Sequence, residues 1–393
     1  MSSVATEQPA TPRRNGFDWW LLLTAVALAG FGLLAILSAS SLGADAAYDD
    51  RFHFVVRQAT GLVIGAAVGA SVVGMPYAWL RRLAWPAWLV SVLLLVAVLT
   101  PWLGHTAKGA TRWISLGPVN VQPGELAKVA LIAMLSHYLA NNRGRLADIV
   151  GVGLPGLGFV LPLVFLVIFQ KDFGTTVILL GLTGVLFFAA GLQWRWMLGG
   201  GLATISLLGF LIAVEPYRIR RLVSFLDPFA DPDGAGYQVV QGWIALATGG
   251  LFGSGLASGV AQRGFLPEPH TDFVSAVVGE ELGLFGWLLI VGLMIALVWR
   301  AARIAEKAPD LFGMLAATGI AAMFGAQAII NLGVVCGLLP AKGLVLPFLS
   351  YGASAVVVHA MCIGVLLKIR LESVTEGERV SFELPASPAG KAS

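Results

Sequence analysis

Ten apolar runs constrain this sequence more than any other feature. They lie at 19–40, 54–74, 83–101, 124–140, 149–170, 173–192, 197–214, 273–299, 311–339 and 343–367. A hydrocarbon core about 30 Å thick is crossed by roughly 20 apolar helical residues, so each run suits one crossing. A transmembrane barrel would instead show segments of about ten residues alternating apolar and polar. The expected fold is an all-α integral membrane protein of about ten transmembrane helices. Composition agrees, because only 12% of residues are charged, about half the share in a soluble domain.

The first run follows Arg13 and Arg14 and is too long for the core of a cleaved signal peptide, so it is expected to remain as an anchor with its N-terminus in the cytoplasm. Ten crossings return the C-terminus to the same side. Arg81, Arg82, Arg300 and Arg303 then face inward, while Arg112, Arg218, Arg220, Arg221 and Lys342 face outward. A substantial set of outward cations points to an anionic ligand on that face. Residues 1–16 and 371–393, rich in Ser, Thr, Pro, Glu and Ala, are expected to be disordered cytoplasmic segments flanking one membrane domain, 17–370. Within it, 215–270 forms a long outer loop between the seventh and eighth helices. Its stretch 237–259 is expected to be amphipathic or re-entrant and broken by Gly249, Gly250, Gly253 and Gly255.

Several function classes fall away. With 25 basic and 22 acidic side chains, the chain has no charge surplus for a nucleic-acid surface. Cys336 and Cys362 lie in apolar runs, and the five histidines have no metal-ligand spacing. Ionisable groups at membrane depth are costly, so each is a candidate for function. Glu125 and Lys128, three apart on one helical face, either neutralise each other or line a polar cleft. Glu280 and Glu281 are adjacent and point about 100° apart on a helix. Asp272 stands where the outer loop meets the eighth helix, behind Pro267 and Pro269. There it either caps the helix or serves chemistry.

Read together, several strings resemble the SEDS family (shape, elongation, division and sporulation). They are Arg112-Trp113-Ile114, Val121 through Lys128, Asp172-Phe173-Gly174-Thr175, Asp233 through Gln238, Pro267 through Phe273, Gly279 through Gly283, and Leu346-Pro347-Phe348-Leu349-Ser350-Tyr351-Gly352. Leu339 through Leu344, with Lys342, is closer to the division members than to the elongation members. The resemblance implies a peptidoglycan glycosyltransferase that polymerises lipid II at the outer face of the cytoplasmic (inner) membrane. It implies Asp272 as the base of an inverting displacement. Arg112, Glu125, Lys128, Arg218, Arg220, Arg221 and Lys342 are the candidate substrate-binding residues, with or without a divalent cation such as Mg or Mn. Its partners would be a class B penicillin-binding transpeptidase, seated on helices eight and nine, and other divisome membrane proteins. A lipid II flippase and a non-catalytic divisome scaffold are the alternative readings.

Overall fold

The computed structural model describes residues 16–107, 110–116, 119–146, 148–230, 236–256, 258, 259, 266, 267, 269–341 and 343–383. Each expected run coincides with a helix: α1 (Trp19–Tyr48), α2 (His53–Gly74), α4 (Ala84–Val98), α5 (Pro123–Asn141), α6 (Leu154–Phe169), α7 (Phe173–Ala189), α8 (Trp194–Val214), α11 (Val274–Glu306), α12 (Leu311–Val335) and α13 (Ala353–Glu383). A short α3 (Tyr77–Arg82) precedes α4, and two further helices, α9 (Pro216–Leu226) and α10 (Tyr237–Gly249), lie within 215–270. Among the described residues, seven helical segments are long and apolar enough to cross a membrane, α4 and α7 are shorter apolar helices, and α5 is a span-length helix carrying Glu125 and Lys128.

Close helix contact follows small residues. Gly61, Gly65 and Gly69 recur every fourth residue on α2, and a Cβ at any of them would strike α13 at Ala353, Val356 or Ala360. Backbones approach closely there because nothing intervenes, which is how helices associate in lipid without a hydrophobic driving force. Glycines of α12 are spent similarly: Gly319 faces Ile132 and Leu186, Gly313 faces Tyr77, and Gly325 faces Val298. By contrast, no residue of α8 is buried.

The structure refines the expected helical fold in three places. A small antiparallel sheet joins the helices, made of β1 (Gly104–Ala107), β2 (Ala110–Leu116) and β3 (Val119–Val121). Period-two alternation puts Arg112 and Ile114 on one face of β2, and Ile114 is buried. The last helix begins at Ala353, not at 343. Residues 343–352 are an apolar loop, with Phe348 at φ 62°, and Gln58 of α2 satisfies its backbone. The Gln58 Nε2 donates to the Ser350 carbonyl at 3.2 Å, and Gly352 N–H donates to Gln58 Oε1 at 3.0 Å. Irregular backbone at membrane depth is tolerated only when protein groups meet its polar atoms. At its other end α13 runs past Arg370 to Glu383. Residues 1–15 and 384–393, and Lys342, lie outside the described residues.

The same requirement explains α10 and α11. Gly283 (φ 67°, ψ −163°) interrupts α11 and frees carbonyls above the break. The turn after α10, with Gly250, Gly253 and Gly255 all at positive φ, is hydrogen-bonded to that gap. Ser254 N–H donates to the Glu280 carbonyl at 2.9 Å, Gly255 N–H to the Glu281 carbonyl at 3.0 Å, and Leu284 N–H to the Gly250 carbonyl at 2.9 Å. Leu251 and Phe252 at the turn remain exposed, as do Leu284 and Phe285 beside it. Ser38 of α1 donates to the Glu281 carboxylate from the far side.

Candidate active site

The starts of α5, α7, α11 and α13 meet the end of α12 at one end of the bundle. Contacts link each to the next. A Cβ on Gly124 would lie 3.6 Å from Thr175, one on Gly174 3.0 Å from Leu344, and one on Gly343 3.0 Å from the Asp272 carboxylate. Asn331 of α12 donates to the Asp272 carbonyl at 3.0 Å and to the Leu344 carbonyl at 2.7 Å. Gln122 N–H, just before α5, donates to the Ser354 hydroxyl at 3.2 Å. The starts of α11 and α7 therefore border Gly343 and Leu344, those of α5 and α13 follow in the same chain of contacts, and each helix N-terminus carries about half a positive charge.

Arginines add to that field. Arg112 of β2 donates to the Lys171 carbonyl at 2.6 Å and sits 3.9 Å from Asp172. Asp172 caps α7, accepting from Thr175 N–H at 3.1 Å and the Thr175 hydroxyl at 2.9 Å. Arg218 donates to the Leu211 carbonyl at 2.6 Å and lies 5.3 Å over the Phe173 ring. Arg221 donates to the Ala341 carbonyl at 2.8 Å, while Arg220 is exposed. Arg221 thus meets Ala341 and Asp272 approaches Gly343, while Leu344 packs against Gly174, two residues from the Asp172 that Arg112 faces. The cap position of α11 falls on Phe273, with no side-chain capping bond among the described residues, so Asp272 lies just outside the helix that it introduces.

Two expected site residues lie elsewhere. Glu125 and Lys128 form an ion pair at 2.7 Å, with side chains 4% and 0% exposed. His359 of α13 lies 4.0 Å from the other Glu125 oxygen, and Phe324 and Phe348 pack on its ring. The pair is buried within the bundle, next to Gly124, where a Cβ would lie 3.9 Å from the Asp172 carboxylate. Conversely, Asn331 and Gln58 are structural members of the site that the sequence reading passed over. Each is a buried amide in a largely apolar helix, and a buried amide needs hydrogen-bond partners.

The FtsW, RodA and SpoVE family of cell cycle proteins matches residues 19–375. The chain belongs to this family. It is 40% identical to a probable peptidoglycan glycosyltransferase FtsW of Geobacter sp. (strain M18), over 91% of this chain and 97% of that one. It is 39% identical to the FtsW of the same description from Allochromatium vinosum, over 94% and 96% of the two chains. Among solved structures, it resembles a chain from a peptidoglycan synthase complex that coordinates polymerization and crosslinking. That likeness has TM-score 0.75 and 31% identity, over 91% of this chain and 98% of that one. Thermus thermophilus RodA gives TM-score 0.67 and 29% identity, with 91% and 98% covered. A family member of this kind therefore places Arg112, Asp172, Arg218, Arg221 and Asp272 at one end of a multi-helix membrane bundle.

Proposed function

We propose that this family member is a peptidoglycan glycosyltransferase of the division type, polymerising lipid II at the outer face of the cytoplasmic membrane. The observation that carries the reading is the approach of the Asp272 carboxylate to Gly343, two residues from the Ala341 carbonyl that Arg221 holds, at the end of the bundle where four helices begin. Under the alternating topology with cytoplasmic termini, that end faces outward. The names borne by the relatives support the substrate class.

The acceptor GlcNAc 4-hydroxyl attacks the anomeric carbon of the donor, whose bond to undecaprenyl pyrophosphate breaks with inversion. Asp272 takes the hydroxyl proton, and the bonding pair leaves with the pyrophosphate. A positioned base of this kind contributes roughly 10²–10⁴-fold. Negative charge growing on the pyrophosphate is met by Arg112, Arg218, Arg220, Arg221 and Lys342 with the helix N-termini, an arrangement that stabilises the transition state most where water is excluded. Among the described residues no three His, Cys, Asp or Glu side chains gather as a metal-binding set. A divalent cation taking part would therefore rely on the substrate's own oxygens for most of its ligands.

The partner we propose is a class B penicillin-binding transpeptidase whose membrane helix lies along α11 and α12. Leu284, Phe285, Leu288, Leu289 and Ile295 form an exposed stripe on α11 suited to it. A transport reading has less support, because the Glu125–Lys128 pair that a polar pathway would use is sealed within the bundle. The deciding experiment is glycan polymerisation from purified lipid II by this chain with its transpeptidase partner, the partner's own chemistry blocked. The Asp272→Asn variant should insert and melt like the parent yet lose polymerisation by roughly 10²–10⁴-fold. Retention of more than a tenth of the parent rate would remove Asp272 as the base.

A further inference from the structure

A second feature stands at the same end of the bundle, built from aromatic rings. The apolar span of α1 ends at Ser41, and its last turns project onward to Tyr48. The Tyr48 ring stacks on His53 with centroids 4.0 Å apart and planes 3° from parallel. Phe54 meets His53 edge-on at 5.2 Å, His270 at 4.3 Å and Tyr351 at 5.1 Å. Tyr351 N–H donates to the His270 carbonyl at 2.9 Å, which joins the three chain segments. His270 stands two residues before Asp272, and Tyr48 at the other end is 54% exposed. The rings therefore form a continuous shelf from solvent to the segment that carries the proposed base.

We propose that this shelf binds the acceptor saccharide, holding a pyranose ring of the growing glycan so that its terminal hydroxyl reaches Asp272. The proposal rests on the polymerase reading and deepens it by naming residues for the acceptor half of the reaction. A pyranose offers an apolar face of C–H bonds to an aromatic ring and polar hydroxyls around its edge. Stacked rings with polar tips suit both. Tyr48 presents its open face to a pyranose, and the His53 ring stacked on it is held from beneath, its Nε2 buried with no hydrogen-bond partner among the described residues. Asp49 and Asp50 are exposed beside Tyr48 and add acceptors. An interfacial aromatic belt sets single Trp and Tyr rings at headgroup level. Here the rings instead pack on one another, include two histidines, and end next to Asp272.

The test uses the full chain with its partner in nanodiscs and a lipid-free GlcNAc-MurNAc tetrasaccharide as the probe. Saturation-transfer NMR reads probe binding, and gel analysis of lipid II products reads glycan length. Tyr48→Ala, Tyr48→Leu and His53→Ala should each weaken the tetrasaccharide about tenfold, which corresponds to about 1.4 kcal/mol, and should shorten the glycans. Tyr48→Phe, which keeps the ring and loses its polar tip, should bind the probe less well than the parent and better than Tyr48→Ala. Equal probe binding and equal glycan length in parent and variants would overturn the shelf while leaving polymerisation by Asp272 intact. A parent that binds the probe through Tyr48 and His53 but makes no glycan would support the shelf and sink the polymerase reading. Variants that lose only bilayer reconstitution, with probe binding unchanged, would show an interfacial belt and overturn the proposal.

Discussion

Replacing Gly283 with alanine tests whether the break in α11 is built into the fold. Its backbone, at φ 67° and ψ −163°, lies in a region open essentially to glycine, and an alanine there costs roughly 1–3 kcal/mol. The new Cβ would also lie 2.5 Å from the Leu251 carbonyl group, which is backbone and cannot rotate away. Relieving that clash pushes the 249–255 turn off α11 and strains the bonds from Ser254, Gly255 and Leu284, each worth about 1 kcal/mol. Losing two of the three brings the total to about 4 kcal/mol. The matched control is Gly292→Ala, nine residues on in the same helix, where a Cβ meets nothing within 4 Å and a helical alanine gains about 1 kcal/mol. Melting of purified protein in detergent should therefore place Gly283→Ala on the order of 10 °C below Gly292→Ala. If the two variants melt together, the turn does not secure the break, and the hydrogen bonds between 249–255 and 280–285 do not hold this region.

Other outcomes follow from the same geometry. Arg221→Ala removes the bond to the Ala341 carbonyl, and as a charged hydrogen bond worth about 1.5–3 kcal/mol its loss should lower kcat/KM for lipid II by about 10–100-fold; unchanged kinetics would detach Arg221 from the site. Lys128→Met strands the buried Glu125 charge and should cost about 3–5 kcal/mol, while Glu125→Leu with Lys128→Met should recover most of that; a double variant as unstable as the single one would refute the pair as a closed unit. Tyr77, in the connection before α4, donates to Asp310 at 2.6 Å, and burial followed by that bond raises its phenol well above the ordinary value. Because the raised value favours the protonated phenol in the fold, its stabilisation is complete below pH about 10 and falls as pH rises toward the folded value. Tyr77→Phe should thus lower the neutral-pH melting temperature and flatten the loss above pH 10, and a parallel alkaline slope in parent and variant would show that Tyr77 does not titrate with unfolding.

The helices were legible because a membrane helix announces itself through length and apolarity within one segment. The strands were not, since 104–121 holds short runs between glycines whose pairing, such as Ile114 with Val121 and His105 with Trp113, is decided by neighbours in space. The start of α13 was hidden for a related reason. Residues 343–352 are as apolar as the helix that follows, and hydropathy cannot separate a buried loop from a helix when both are dry. What separates them is Gln58, some three hundred residues earlier, whose amide both donates to and accepts from that loop. The turn after α10 was partly legible, because Gly249 through Gly255 signal a break. Its mate at Gly283 could not be matched to it without knowing that α10 lies beside α11.

The candidate site divides along the same line. Alternating the loops across the bilayer was enough to put Arg112, the Arg218 to Arg221 cluster and Asp272 on one face, since that requires only the order of the helices. Their convergence depends on three residues: Ala341 accepts from Arg221, Gly343 abuts Asp272 and Leu344 fills the gap at Gly174. A Cβ at 343 would lie 3.0 Å from the carboxylate and press it aside, so the residue that looks least chemical in this stretch sets how closely the backbone approaches Asp272. The i, i+3 spacing of Glu125 and Lys128 correctly suggested a pair, yet spacing carries no information about depth. Burial by His359, Phe324 and α13 turns that pair from a prospective substrate contact into an internal ionic strut that fixes the first turns of α5 near Asp172. Its stability is then tied to the geometry of the site beside it, and that link is what the Lys128 single and double variants measure.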